Sequence, residues 1–208
     1  GQGRALEGLP EYVRIETRGP VPDTVTARVP ERGVVFHVDL LRGQKTGWFY
    51  DQRSNREQWA AYCRDASRAP GKGAPRLLDV FSYVGAWSLP QALEGARITL
   101  IDRSADALEL ALQTARDHGV ADRVEVLRGE AGDRLEALLG ARERYDAVVL
   151  DPPALVRRRK DLGRGMDAYR RLQRLAARLL VPDGVLASCS CSLPVTEEHL
   201  LDAIRRGA

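Results

Sequence analysis

Cysteine is scarce: Cys63, Cys189 and Cys191 are the only three in 208 residues. They are too few for a disulfide framework and are not spaced as zinc ligands, so no resident metal is expected. No apolar run approaches the roughly 20 residues that a membrane helix needs. Gly1-Gln2-Gly3-Arg4 lacks the apolar region of a secretory signal. The expectation is a cytoplasmic protein with no membrane partner. A Gly-x-Gly-x-x-Gly motif is also missing, which argues against a dinucleotide pyrophosphate as ligand. Lysine is nearly absent, with only Lys45, Lys72 and Lys160; the positive charge is therefore almost all arginine.

That arginine is unevenly placed. Residues 151–180 hold nine basic residues (Arg157, Arg158, Arg159, Lys160, Arg164, Arg170, Arg171, Arg174 and Arg178) against Asp151, Asp161 and Asp167, a local charge of +6 in a chain of +3. A concentrated basic stretch suits a polyanionic partner such as RNA; a solvated helix face would read the same way. With 44% hydrophobic residues, the chain can build one ordinary core and a small extension. Nothing in the pattern chooses between a monomer and a homodimer.

Residues 1–66 read as a β-rich extension ending in a helix near 56–66. Val34–Leu40 and Gly47–Tyr50 suggest a hairpin there. The stretch 69–75, rich in Gly and Pro, is a loop by composition. From 67 to 208 strands and helices alternate. Strands are predicted at 76–81, 97–101, 124–127, 145–150 and 185–191, with helices near 85–95, 105–118, 134–139, 165–180 and 195–206. Ser104 is placed to cap the second of these helices and Gly119 to end it. Such alternation implies an α/β fold with a mostly parallel sheet and right-handed crossovers.

In such a sheet ligands gather at the carboxyl ends of the strands. Tyr145–Leu150 closes on Asp151-Pro152-Pro153, and two prolines cannot continue a ladder. The first strand runs out through Asp79-Val80-Phe81-Ser82-Tyr83-Val84-Gly85, where Ser82 and Gly85 allow close backbone approach. Asp102 closes the second strand 23 residues after Asp79, the place of an acid that accepts from ribose hydroxyls; a helix-capping acid could stand there as well. Glu130 follows the third strand. This row of carboxylates suits a ligand with a ribose, an amine and a base edge, and S-adenosylmethionine carries all three. Cys189 and Cys191 lie in the last strand, where either could be a small core residue or a reactive thiol. Cys191 stands closer to the strand's carboxyl end.

The combination of Phe81-Ser82-Tyr83-Val84-Gly85, Leu100-Ile101-Asp102-Arg103-Ser104, Asp151-Pro152-Pro153 and Ser190-Cys191-Ser192 resembles class I methyltransferases of large-subunit ribosomal RNA. More closely it resembles the bacterial cytosine-C5 methyltransferases that carry a PUA domain. Gly43-Gln44-Lys45-Thr46-Gly47, followed by Asp51-Gln52-Arg53, is similar to that family's G-x-K-T-G-x-x-x-D-Q-R segment. The likeness covers residue 30 onward. The family normally has an N-terminal PUA domain and further C-terminal strands, neither of which lies within these 208 residues. Two substitutions depart from its pattern. Ala154-Leu155 replaces an aromatic that could touch the target base, and Glu130 replaces a more usual Asp.

The resemblance implies a Rossmann-like fold that binds S-adenosylmethionine through Asp79, Phe81, Ser82, Tyr83, Gly85, Asp102, Arg103, Glu130 and Asp151. It implies Cys191 as nucleophile, with Asp151 holding the cytosine. RNA would be met by Gln52, Arg53, Pro152, Pro153, Arg157, Arg158 and Arg159. The implied chemistry is addition of a thiolate to cytosine C6, which makes C5 nucleophilic toward a methyl donor. A free thiol has a pKa of roughly 8.5 and needs help to ionise, and a paired base must first leave its stack.

Overall fold

The computed structural model describes residues 25–41, 43, 47–67 and 73–207. Gln44, Lys45 and Thr46 of the G-x-K-T-G segment, and most of the loop predicted at 69–75, lie outside them. So does the stretch directly after residue 67, where the two-part division was expected.

Five strands form one sheet: β3 (Arg76–Val80), β4 (Arg97–Asp102), β5 (Val124–Arg128), β6 (Tyr145–Leu150) and β7 (Leu180–Ser188). Their order is β5-β4-β3-β6-β7 and every pairing is parallel. The chain builds outward from β3 to β5, then returns to the other side of β3 to lay down β6 and β7. The strand order thus reverses between β3 and β6, which opens a crevice at their carboxyl ends.

Both faces of the sheet are covered, which is why β3 and β6 read as apolar runs and not as alternating strands. Leu77, Ile98, Leu100 and Val149 pack toward α2 (Leu89–Leu93) and α3 (Ala105–Asp117). Leu78, Val80, Ile101, Val148 and Leu150 pack toward α4 (Ala131–Gly140) and α5 (Leu162–Leu179). The last helix, α6 (Glu197–Gly207), lies on α5. Ser104 caps α3 as expected, its Oγ accepting from the Ala107 amide at 3.2 Å, and Gly119 leaves it at φ 66°.

A separate antiparallel hairpin, β1 (Thr26–Glu31) and β2 (Val34–Asp39), stands before the sheet. This corrects the predicted pairing of 34–40 with 47–50. Arg32 (φ 51°) and Gly33 (φ 79°) make a two-residue turn with both centres left-handed, the geometry that matches strand twist. Arginine tolerates that conformation poorly, so Arg32-Gly33 is a weak turn signal. Gly47–Tyr50 is instead an irregular approach to a 3-10 turn (Tyr50–Gln52) and to α1 (Arg53–Ser67).

The hairpin is bolted to α3 by His37 N donating to Thr114 Oγ1 (3.1 Å) and Val35 N donating to His118 Nε2 (3.1 Å). His118 Nδ1 meets the Thr114 carbonyl, so its ring proton sits on Nδ1. A buried ion pair joins hairpin to α1, with Arg56 reaching both oxygens of Glu31 at 2.6 and 2.8 Å. Burial opposes ionisation of Glu31, but the hydrogen bonds and charge of Arg56 hold its carboxyl below the ordinary value.

Two further expectations shift. The helix expected from residue 85 begins only at Leu89, because residues 81–88 are used in a turn. The last strand was predicted to begin after a Pro182-Asp183-Gly184 turn and to run to Cys191. It runs from Leu180 to Ser188, with those residues taken up in an irregularity as the partner of Tyr145 and Ala147 changes from Leu180 to Val185. Among the described residues β7 pairs only with β6, and an edge strand accommodates a proline and a bulge that a central strand would not.

Candidate active site

The crevice is lined by the segments that leave the carboxyl ends of the strands. After β3 the chain makes a tight turn in which Phe81 (φ 66°), Tyr83 (φ 50°) and Gly85 (φ 77°) are all left-handed. Two of these are not glycine, and such strained residues concentrate at ligand sites. Gly85 is required: a Cβ there would lie 2.9 Å from Leu89 Cγ in addition to its backbone strain. The turn is held because the amides of Phe81 and Ser82 both donate to the Ile101 carbonyl at 2.9 and 3.0 Å. From outside, Tyr83 Oη donates to Gly47 O (3.3 Å), and Phe49 meets its ring edge-on.

Three carboxylates converge on this turn. Asp102, at the end of β4, accepts from Tyr83 N on Oδ2 and from Ser104 N on Oδ1, each at 2.9 Å. A carboxylate has about four acceptor positions, so it retains capacity for a pair of hydroxyls. Asp79 is fully buried within β3. Its Oδ2 accepts from Ser88 Oγ at 2.8 Å, while Oδ1 has no partner among the described residues. Burial, and then the charges of Asp151 and Asp102, push the Asp79 carboxyl up to about 7 against the opposing Ser88 hydrogen bond. Asp151 follows β6, and its Oδ2 accepts from Trp87 Nε1 at 3.0 Å. Ser82 Oγ is likewise buried and unpartnered among the described residues.

The second half of the site lies beyond β7. Cys189 N donates to Leu150 O at 2.8 Å, adding one bond past the strand end. The Cys189 side chain packs against the core cluster that contains Leu77 and Val149. Burial first, then Asp151, Asp79 and Cys191, push its thiol up to about 12. Cys191 is exposed, and its Sγ lies 3.7 Å from the Pro152 carbonyl as a donor. The loop carrying Cys191 is fixed on both sides. Tyr169 of α5, fully buried, meets Ser190 Oγ at 2.8 Å and Ser192 Oγ at 3.1 Å. Val156 N donates to Ser192 Oγ at 3.0 Å, tying the segment after the prolines to the segment around Cys191.

The structure thus brings Asp79, Phe81, Ser82, Tyr83, Gly85, Asp102 and Asp151 around one turn, and sets Cys191 beside Pro152. Arg103 and Glu130 lie at its outer rim as an exposed ion pair at 2.8 Å. Pro153, Arg157, Arg158 and Arg159 are exposed past β6. Gln52 and Arg53 are engaged elsewhere among the described residues: Gln52 accepts from Asn55 (2.9 Å), and Arg53 lies 3.6 Å from Glu31. Sequence reasoning missed Trp87, Ser88 and Tyr169. Trp87 and Ser88 fell inside a predicted helix, and Tyr169 reads as one apolar helix position among several.

An unpartnered buried carboxylate oxygen suits a ligand ammonium, an acid with spare acceptor positions suits a ribose diol, and a strained turn lies between them. These features fit an α/β domain that holds a nucleoside carrying an amine. Comparison with known proteins agrees. The model of the S-adenosylmethionine-dependent methyltransferase family matches residues 20–208, and the chain belongs to that family.

A ribosomal RNA large subunit methyltransferase of Deinococcus radiodurans is 35% identical over 88% of this chain and 44% of its own length. Ribosomal RNA large subunit methyltransferase I of Klebsiella pneumoniae is 31% identical over 91% of this chain and 45% of its own. The chain therefore spans less than half the length of these relatives. Among solved structures, one determined in complex with SAH superposes with a TM-score of 0.72 at 22% identity, over 92% of this chain and 48% of the other. A SAM-dependent methyltransferase from Agrobacterium tumefaciens gives 0.70 at 19% identity, over 91% and 60%. At those identities the likeness is one of fold. No helix among the described residues is long and apolar enough to cross a membrane, and no group of three or more His, Cys, Asp or Glu there could hold a metal ion.

Proposed function

We propose that this chain carries the catalytic part of an RNA methyltransferase that forms 5-methylcytosine in large-subunit ribosomal RNA, with Cys191 as nucleophile. The observation that carries this reading is the contrast between the two late cysteines. Cys191 is exposed against the carbonyl of Pro152, whereas the Cys189 thiol is packed inward and pushed up to about 12. The names of the relatives from Deinococcus and Klebsiella support ribosomal RNA as substrate.

Asp102 would hold the ribose of S-adenosylmethionine, Asp79 its ammonium, and the turn 81–85 its body, with Arg103 and Glu130 at the adenine side. When bound, the cofactor supplies an electrophilic methyl group on a sulfonium. Cys191 Sγ adds to C6 of a cytosine that has left its stack, which renders C5 electron-rich. Asp151, held by Trp87, grips the ring edge and stabilises the protonated adduct. C5 would take the methyl group that the bound donor supplies, leaving the donor as a neutral thioether; a base would then remove the C5 proton as the thiolate is expelled. The prolines force the chain out of the sheet there, so the base meets a rigid lip. Arg157, Arg158 and Arg159 contact phosphates; Gln52 and Arg53 keep their contacts to Asn55 and Glu31 and turn only their remaining donors toward the same RNA. Residues 67–208 form the catalytic unit and 1–66 its extension, at work in the cytoplasm.

RNA with 5-fluorocytosine at the target position cannot lose its C5 substituent. It should trap the enzyme covalently through Cys191, and the product from ordinary RNA should be 5-methylcytidine. Cys191→Ala should abolish methylation and keep cofactor affinity, while Cys189→Ala should mainly lower stability. A methyl group found on a base nitrogen, or full activity in Cys191→Ala, would replace this reading with methylation that needs no cysteine.

A further inference from the structure

A groove of about 610 Å³ lies between the segment that leaves β6 and the first turns of α5, lined by Ala154, Leu155, Arg157, Arg158, Arg164 and Ala168. Its size falls within the range of about 300–1,000 Å³ common for small-ligand sites. The floor is apolar and firm. Leu155 packs against the core clusters on either side of it, and Val156 is pinned by its amide to Ser192. The back wall is closed at Gly165, where a Cβ would lie 2.2 Å from Val156 Cγ2 and 3.0 Å from Leu155 O.

The rim is cationic beyond what its own acid can neutralise. Arg158 and Arg164 share Asp161, each at 3.1 Å. Arg157, Arg159 and Lys160 form no ion pair among the described residues. Residues 157–164 thus carry five positive charges against one negative, a local charge of +4.

An apolar floor under a cationic rim fits one nucleotide of a single strand, its base on Ala154, Leu155 and Ala168 and its phosphates against the arginines. Ala154 follows the prolines directly, so the groove opens next to the lip where the target base is proposed to sit. We propose that the groove is a subsite for the nucleotide adjacent to the target in single-stranded RNA. The proposal rests on the RNA-substrate reading above, and not on which atom of the base is methylated.

The test measures binding of a short single-stranded RNA with a single cytosine to the chain, by fluorescence anisotropy. An abasic nucleotide placed next to the cytosine, on the side that fills the groove, should weaken binding about tenfold, and an abasic nucleotide several positions away should not. Ala168→Trp, which fills the groove, should give a similar loss while leaving S-adenosylmethionine affinity unchanged, and the adjacent abasic site should cost nothing more in that variant. Arg157→Gln and Arg164→Gln should each flatten the log–log salt dependence by about 0.7.

Unchanged affinity with the abasic nucleotide placed on either side of the cytosine, 5′ or 3′, overturns the subsite. The abasic arm uses the unaltered protein, so misfolding of a variant cannot blur it. An acidic peptide of equal charge that binds as tightly as the RNA overturns it too, leaving a plain anion-binding surface. Failure of the unaltered chain to bind any RNA removes the RNA reading as well. A nitrogen-methylated product with the abasic effect intact removes only the cytosine-C5 reading.

Discussion

Asp79 is a carboxyl buried completely out of water. A carboxyl with an ordinary value of 3.8 that titrates at about 7 in the fold binds a proton more tightly when native than when unfolded. Stability therefore falls as pH rises from about 4 to about 7 and stays lowered above that window. Asp79→Asn should flatten this part of the Tm–pH curve and melt higher than the parent at neutral pH without ligand. With Asp79 holding the ligand ammonium as proposed, binding should reverse the balance, since a positive charge beside Oδ1 favours the carboxylate. Calorimetry at about pH 6 in buffers of different ionisation enthalpy should then show proton release on S-adenosylmethionine binding. Release that persists in Asp79→Asn would assign the proton to another group.

At the scale of elements, the site depends on α5 as much as on the strands. Tyr169 reaches from the helix interior to both serines that flank Cys191. It acts as a positioning residue. Tyr169→Phe keeps the ring in the core and deletes two hydrogen bonds, each worth about 1 kcal/mol, so a modest loss of stability is expected. The discriminating readout is Cys191 itself. Its alkylation rate, and the pH profile of that rate, should change in Tyr169→Phe, and kcat should fall with KM for S-adenosylmethionine unaltered. An unchanged alkylation profile would reduce Tyr169 to packing.

For the molecule as a whole, the hairpin, α1 and the sheet share one core. Phe36 is fully buried, its ring 4.8 Å from that of Trp48, in the same cluster as Trp59, Leu77 and Val149. Phe36→Ala should therefore cost about 3–5 kcal/mol. Unfolding should remain a single transition, with tryptophan fluorescence and far-UV circular dichroism coincident. A separate early transition in the fluorescence would show that the hairpin folds as a unit of its own.

Period and punctuation alone determined the alternation from β3 to α6, the parallel sheet, the Ser104 cap and the acids at the strand ends. These are local signals: apolar runs bounded by turn residues, and a proline pair that no strand can absorb. Tertiary structure decided the rest. The hairpin register turned on Arg32 adopting a left-handed conformation that its side chain does not announce. The late start of α2 came from a turn strained around a site. Whether Cys189 or Cys191 faces the lip was open by strand period, because both were read on one strand. Past Ser188 the chain leaves that strand, and burial against Val149 for one and the Pro152 carbonyl for the other separates them. Asp79 looks in sequence like any strand-terminal acid; its raised titration comes from burial and from Asp151 and Asp102, which lie 72 residues later and 23 residues later in the chain. Electrostatics and packing between distant segments act through space, and one-dimensional spacing carries no measure of that distance.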